Sequence, residues 1–313
     1  MDTFTKYSIL PSVLRKHTLS FARLNSLRQY SQCSKLCNEE FGEQYIAKPA
    51  SIELNDCGNY IKVELKCKDT QAVYFKLSFV EPYSKQDYYL TLNDSYDRRF
   101  FHKGNYKQAA VDYIQKRLKY NWNGEVDFDM KFWPFDANDM TRFTKNCIWT
   151  IHLNKQMLKQ FYNSIKDEEL KNVRLHVMKG NQREFNIPAK FFKSPFFQNL
   201  TSFSCYQALP TFEEQDFLTM EASHIYLNCS LFSDRVINQK LCQYFNNPLA
   251  DKHSSYTFFR SNELKFDRET VLRNLNIVRS RVDWRTEFIV VKCASGVEKE
   301  LKYEKDQIDF NKQ

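Results

Sequence analysis

The sequence predicts a mixed α+β and α/β chain. An N-terminal helical hairpin comes first, then a small sheet with a covering helix, then an irregular stack of βα repeats. Three observations lead there. Apolar residues recur at spacings of three and four over residues 10–37, they alternate with charged residues between 61 and 132, and short apolar runs from 148 to 291 are separated by amphipathic stripes. The corresponding divisions are 1–45, 46–140 and 141–313.

The hairpin is read from its first turn. Pro11 has a fixed φ and no N–H, so it suits a helix start, where that donor has no intrahelical partner. Leu10, Val13, Leu14, Thr18 and Phe21 then share one face, and Leu24, Leu27 and Ser31 with Cys33 or Ser34 repeat the pattern. Two helices within roughly thirty residues bury too little surface to stand alone, so their apolar faces must pack on the rest of the chain or on a partner. Arg15, Lys16, Arg23, Arg28 and Lys35 occur with no acidic residue between them, which suits an acidic docking partner.

These residues carry a resemblance. Leu10-Pro11, Leu14, the Leu19-Ser20-Phe21 step, Leu24, Leu27, Ser31 and the Cys33-Ser34-Lys35 segment fall, without a gap, where an F-box has its Leu-Pro start, helical leucines and closing step. The segment resembles a degenerate F-box. It departs from the pattern at Val13 (usually acidic), Asn25 (commonly proline) and Cys37 (tryptophan expected), which bears on docking affinity more than on fold. The order of parts is similar to that of nematode F-box proteins with an F-box-associated region, and the strand-then-helix stretch His224 to Phe245 resembles that region's signature.

The resemblance implies a substrate-recognition subunit of a cullin-RING ubiquitin ligase. In that reading Leu10, Pro11, Leu14, Leu24, Leu27, Ser31 and Lys35 dock a Skp-type adaptor, the adaptor links to the cullin scaffold, and the C-terminal part holds an unidentified target protein. Each buried leucine contributes roughly 1.5–3 kcal/mol, so three or four offset part of the association cost. Such a chain acts by proximity and is not itself an enzyme.

Between the hairpin and the repeats the period becomes two. Ile61, Val63, Leu65 and Cys67 alternate with Lys62, Glu64 and Lys66, and Val73, Phe75, Leu77 and Phe79 resume the alternation, which predicts a β-hairpin. Tyr88 to Leu92 is a further strand. Asn105 caps a basic helix with Tyr106, Ala110, Tyr113 and Ile114 on one face, and Val126, Phe128, Met130 and Phe132 form another strand before the turn-rich stretch 133–139.

In the C-terminal part, runs at Ile148 to Leu153, Val173 to Val177, Leu200 to Phe203, Ile225 to Cys229, Tyr256 to Phe259 and Phe288 to Val291 predict strands. They recur at intervals of about 25 to 30 residues, near the range of leucine-rich repeats, so the stack is expected to be leucine-rich-like though irregular. Helical stripes follow Asn154 (Met157 to Ile165), Asp234 (Ile237 to Phe245) and Asp267 (Val271, Leu272, Leu275, Val278).

Composition supports a packed protein: 42% hydrophobic residues with 27 Phe and 18 Tyr. No secretory-type segment or membrane-length apolar run is present, and the nine scattered cysteines, Cys67, Cys229 and Cys293 among them, read as reduced core residues, so an intracellular, cytoplasmic or nuclear location is expected. The net charge of +8 reads as an ordinary solvated surface, and nucleic-acid binding is set aside because most aromatics fall at core spacings.

Chemistry is sparse. Six glycines form no G-x-G pair, and G-x-S-x-G, H-E-x-x-H and C-x-x-C are missing, so no cofactor is expected. Cys33 and Cys37 need two further ligands to hold a metal, and Asp127, Asp129, Asp136 and Asp139 need no ion in an exposed turn. Of six histidines (His17, His102, His152, His176, His224, His253), the three at 152, 176 and 224 would line up across neighbouring strands of a parallel sheet. The competing function is a structural or interaction module whose hairpin packs on its own chain, with no ligase role.

Overall fold

A computed structural model describes residues 51–66, 73–81, 87–92, 99–118, 124–145, 147–165, 170, 172–177, 187–246, 254–261 and 264–310. The expected N-terminal hairpin, with Leu10, Pro11, Leu14, Leu24, Leu27, Ser31 and Lys35, falls outside the described residues, as do Cys67 and Lys119. The chain divides into two compact units, residues 1–127 with 146–148, and residues 128–145 with 149–313.

In the first unit, β1 (Ser51–Asp56), β2 (Tyr60–Lys66), β3 (Val73–Val80), β4 (Asp87–Leu92) and β5 (Arg99–Lys103) form an antiparallel meander in chain order, with β6 (Glu125–Asp129), which belongs to this unit as far as Asp127, beside β1. The alternation at 61–65 builds it. Val63 stands opposite Leu54 on one side and Leu77 on the other, and all three are buried. Helix α1 (Tyr106–Leu118) covers β2, β3 and β4 with Tyr106, Ala110, Val111, Ile114 and Leu118. The Asn105 carboxamide accepts hydrogen bonds from the Lys107 and Gln108 N–H groups at 2.8 and 3.3 Å, which caps α1, and the Tyr106 hydroxyl donates to the Gly58 carbonyl at 3.0 Å. Gly58 has φ +98° in the tight β1–β2 turn, a conformation open to glycine at no steric cost.

The second unit starts with α2 (Ala137–Phe143), capped by the Asp136 carboxylate, which accepts from the Asp139 N–H at 2.8 Å. Of the four acids, Asp136 is the cap, Asp139 lies in the first turn, and Asp127 and Asp129 lie on β6. Strands β7 (Ile148–Leu153), β8 (Val173–Val177), β9 (Ser202–Cys205), β10 (His224–Asn228) and β11 (Ser255–Phe259) are parallel neighbours in chain order. Between them run α3 (Leu158–Ile165), the single turns α4 (Ala189–Phe192) and α5 (Pro195–Gln198), α6 (Glu214–Thr219) and α7 (Asp234–Asn246). After the short α8 (Arg268–Val271), β12 (Ile277–Asp283), β13 (Thr286–Lys292), β14 (Glu298–Tyr303) and β15 (Gln307–Phe310) add antiparallel strands, ordered β12-β13-β14-β15-β11.

Period-two burial places the core. Ile151, Leu175, Phe203, Ile225 and Tyr256 lie in one register row and Leu153, Val177, Cys205, Leu227 and Phe258 in the next, all buried. Helical aromatics seat against these rows: Phe197 to Phe203 at 5.1 Å between ring centroids, Phe217 to Phe258 at 5.5 Å and Phe245 to Phe310 at 5.1 Å. Aromatic pairs of this geometry add about 0.5–1.5 kcal/mol beyond area burial, which is the use the chain makes of its phenylalanines.

The architecture corrects the expected fold class. A hairpin followed by helical, leucine-rich-like βα repeats is not what the described residues form. Among the described residues a large mixed sheet dominates, α1 and α7 reach thirteen residues, and α4, α5 and α8 have four each. The stripe Val271, Leu272, Leu275 and Val278, expected to be helical, is helical only at its start. Asp267 does cap a helix, accepting from the Thr270 N–H at 3.0 Å, but α8 ends at Val271 and Asn274 takes φ +64°. Ile277 and the run from Arg279 to Asp283 then pair as a strand with β13, with Val278 at a register irregularity between them, so backbone pairing overrode helical spacing.

Candidate functional site

In the parallel block, the residues between the buried ones point away from the helices and, apart from the buried Ser202, are half-buried, leaving an open polar face. Register joins them into a row: His152 beside His176, then Ser204, Tyr226, Thr257, Asp309 on β15, Lys302 on β14, Phe288 on β13 and Arg281 on β12. A second row runs Thr150, Arg174, Ser202, His224 and Ser255.

The side chains on this face have local order. The His152 and His176 rings lie 5.2 Å apart, so parallel pairing does bring these two histidines together. His224 falls in the second row, where its Nδ1 shares a 2.9 Å hydrogen bond with the Ser255 hydroxyl. Exposed Tyr206 packs on Tyr226 at 4.8 Å, and Tyr226 on Phe259 at 5.0 Å, an aromatic ladder along the sheet. Burial, with Tyr206 and Asp309 nearby, raises the Tyr226 phenol above its ordinary value, which keeps it a neutral hydrogen-bonding group. At the far end of the row Phe288 carries two cations, Arg281 at 4.8 Å and Lys302 at 5.8 Å from its ring centroid.

Beside the face, at the ends of β10 and β11, Asn228 is an anchor. Its amide donates to the Tyr206 carbonyl at 3.2 Å and the Ser261 hydroxyl at 3.3 Å, while its oxygen accepts from the Ser230 N–H at 3.0 Å and hydroxyl at 2.7 Å. These groups satisfy one another, which makes them positioning elements for Tyr206. On the helix side, a cleft of 610 Å³ between α6 and α7 is lined by Phe212, Glu214, Leu218, Leu231, Phe232 and Val236, with the Glu214 carboxylate accepting from the Ser233 N–H at 2.9 Å.

Buried titratable groups serve the fold. Lys240 of α7 donates to the Leu218 carbonyl at 3.2 Å and to the Met220 carbonyl, closing the C-terminal end of α6, and burial lowers its pKa to about 8. Burial pushes the Cys205 thiol up to about 12 and Cys147 up to about 11, so neither is a ready nucleophile. Cys229 and Cys293, expected in the core, are buried free thiols. Among the described residues, no group of three or more His, Cys, Asp or Glu side chains is placed to hold a metal ion.

The seven residues expected to dock an adaptor are outside the described residues, so the face is assembled from other positions. Arg174, Ser204, Tyr226, Thr257 and Asp309 went unread in the sequence; the signal was their alternation with buried neighbours, but only strand order shows that they form a row. No protein-family model and no curated protein matches the chain. Among the described residues, no helix is long and apolar enough to cross a membrane.

Proposed function

We propose that the chain is a non-catalytic recognition subunit that holds a polypeptide target on the open sheet face of its second unit, and that its F-box-like N-terminal segment joins it to a Skp adaptor and cullin scaffold. The row from His152 to Arg281 carries this reading. It is long and mixes aromatic, hydrogen-bonding and cationic groups, as recognition surfaces do. Tyr206, Tyr226 and Phe259 supply the rigid aromatic area that interface hot spots use, and Asn228 holds the first of them in place.

The adaptor link rests on Leu10, Pro11, Leu14, Leu24, Leu27, Ser31 and Lys35 of the sequence. Isothermal calorimetry of the purified chain with a Skp adaptor tests it, beside a Leu10→Ala, Pro11→Ala, Leu14→Ala variant checked by circular dichroism. Micromolar or tighter binding that is lost in the still-folded variant is the expected result. A folded wild-type chain that does not bind would overturn the ligase role and leave a recognition module acting on its own.

A further inference from the structure

Strand β12 is the outer edge of the second unit's sheet, paired with β13, and every one of its residues is exposed. An edge strand offers unpaired backbone N–H and C=O groups, and proteins ordinarily cover or shorten such edges. Here the edge is seven residues long, with a register irregularity at Val278 and regular pairing from Arg279 to Asp283, and carries exposed apolar side chains, Val278 at 48% and Val282 at 73%, with Trp284 at 86% on the adjoining hairpin tip. Trp284 also holds φ +55° in the two-residue turn closed by Asp283 and Thr286, a backbone position where glycine or asparagine is the unstrained choice.

The side chains have two faces. Arg279 and Arg281 stand opposite Val290 and Phe288 on the face that carries the polar row, and Ser280 and Val282 stand opposite Ile289 and Glu287 on the other. Arg281 stacks on Phe288 and Arg285 on Trp284, each guanidinium 4.8 Å from a ring centroid, which fixes the cations while leaving their N–H edges free to meet carboxylates. Arg279 makes one exposed ion pair, with Glu298 at 3.6 Å.

We propose that β12 binds an extended acidic segment of a partner protein by strand addition. The segment's carboxylates alternate with apolar residues, so that acids meet Arg279 and Arg281 while an apolar side chain meets Val282. Charge argues against a second copy of this chain as the occupant. A second copy of the strand brings two arginines against the single Asp283, so it cannot supply an acid to each of Arg279 and Arg281. The proposal deepens the recognition reading and rests on it for a polypeptide target, since Arg281 is the last member of the row; it uses no residue of the adaptor-docking segment.

The test is fluorescence anisotropy of the full chain with a labelled peptide of alternating valine and glutamate, against a valine and lysine counterpart. The acidic peptide is expected to bind and the basic one not, and an Arg279→Glu, Arg281→Glu variant with unchanged circular dichroism should weaken binding about tenfold or more. Two acidic peptides N-methylated on alternate residues in opposite phase separate strand addition from simple charge attraction. One phase must bind like the parent and the other must fail. Equal binding of both phases, or of both charge patterns, would overturn the proposal, as would a chain that dimerises in sedimentation and loses the dimer on Val282→Lys. If the peptide fails while the adaptor binds, this edge proposal falls alone; if the adaptor fails while the peptide binds, only the ligase role falls.

Discussion

Lys240 makes the fold's stability pH-dependent in a direction opposite to that of the buried thiols. Its amine sits among apolar groups, 5.5 Å over the Phe217 ring, with α6 carbonyls as acceptors, and burial lowers its pKa from the ordinary 10.5 to about 8. Between those values the unfolded chain binds the proton that the folded chain has released. Stability therefore rises with pH through this window, by about 3 kcal/mol over its whole width and about 2 kcal/mol between pH 7 and 9.5. Cys205 and Cys147, raised to about 12 and about 11, act the other way, because unfolding lets them ionise as pH rises past their ordinary values. Their effect cancels when wild type and Lys240→Met are compared. Urea unfolding of both chains at pH 7 and 9.5, followed by circular dichroism, should show the wild type gaining about 2 kcal/mol relative to the variant. Equal pH dependence in the two chains would refute the placement of a charge-intolerant amine at this position.

Phe217→Ala should cost about 3–5 kcal/mol in urea unfolding, because the fully buried ring packs 5.1 Å from Phe232 and 5.5 Å from Phe258; a loss under about 1 kcal/mol would contradict that packing. Trp284→Gly should raise stability by about 1 kcal/mol, since it relieves a positive φ and exposes no core, while weakening the acidic peptide; a destabilised variant would show that the indole supports the hairpin instead. The Glu287 carboxylate accepts two hydrogen bonds of 2.6 Å from Arg268, which hold its pKa below the ordinary 4.5. Its contribution is full above that ordinary value and lost as pH falls through the lower folded value, so thermal unfolding of wild type and Glu287→Gln should converge in acid and separate above about pH 5.

Much of the local structure was legible. Ile61, Val63 and Leu65 announce a strand because a period of two can bury only one face of an extended chain, and Asn105, Asn154 and Asp267 announce helix starts because their short oxygens can accept from orphan N–H groups. Val271 to Val278 misled because a stripe at spacings of three and four is also compatible with a turn and a strand, and only the pairing of β12 with β13 decides between them. The candidate face was half-legible. His152 and His176 can be marked as strand residues, yet their 5.2 Å approach needs parallel neighbours in matching register.

Local chemistry in the sequence settles which side chains alternate and which residues cap, since each depends on residues within a few positions of one another. Only the tertiary structure decides that β7 to β11 run parallel in chain order, that β15 reverses direction beside β11, and that β12 is left as an edge. Those choices depend on backbone hydrogen bonds between residues far apart in the chain, whose N–H and C=O groups are the same for every sequence; loop reach and the packing of phenylalanines between helix and sheet select among them.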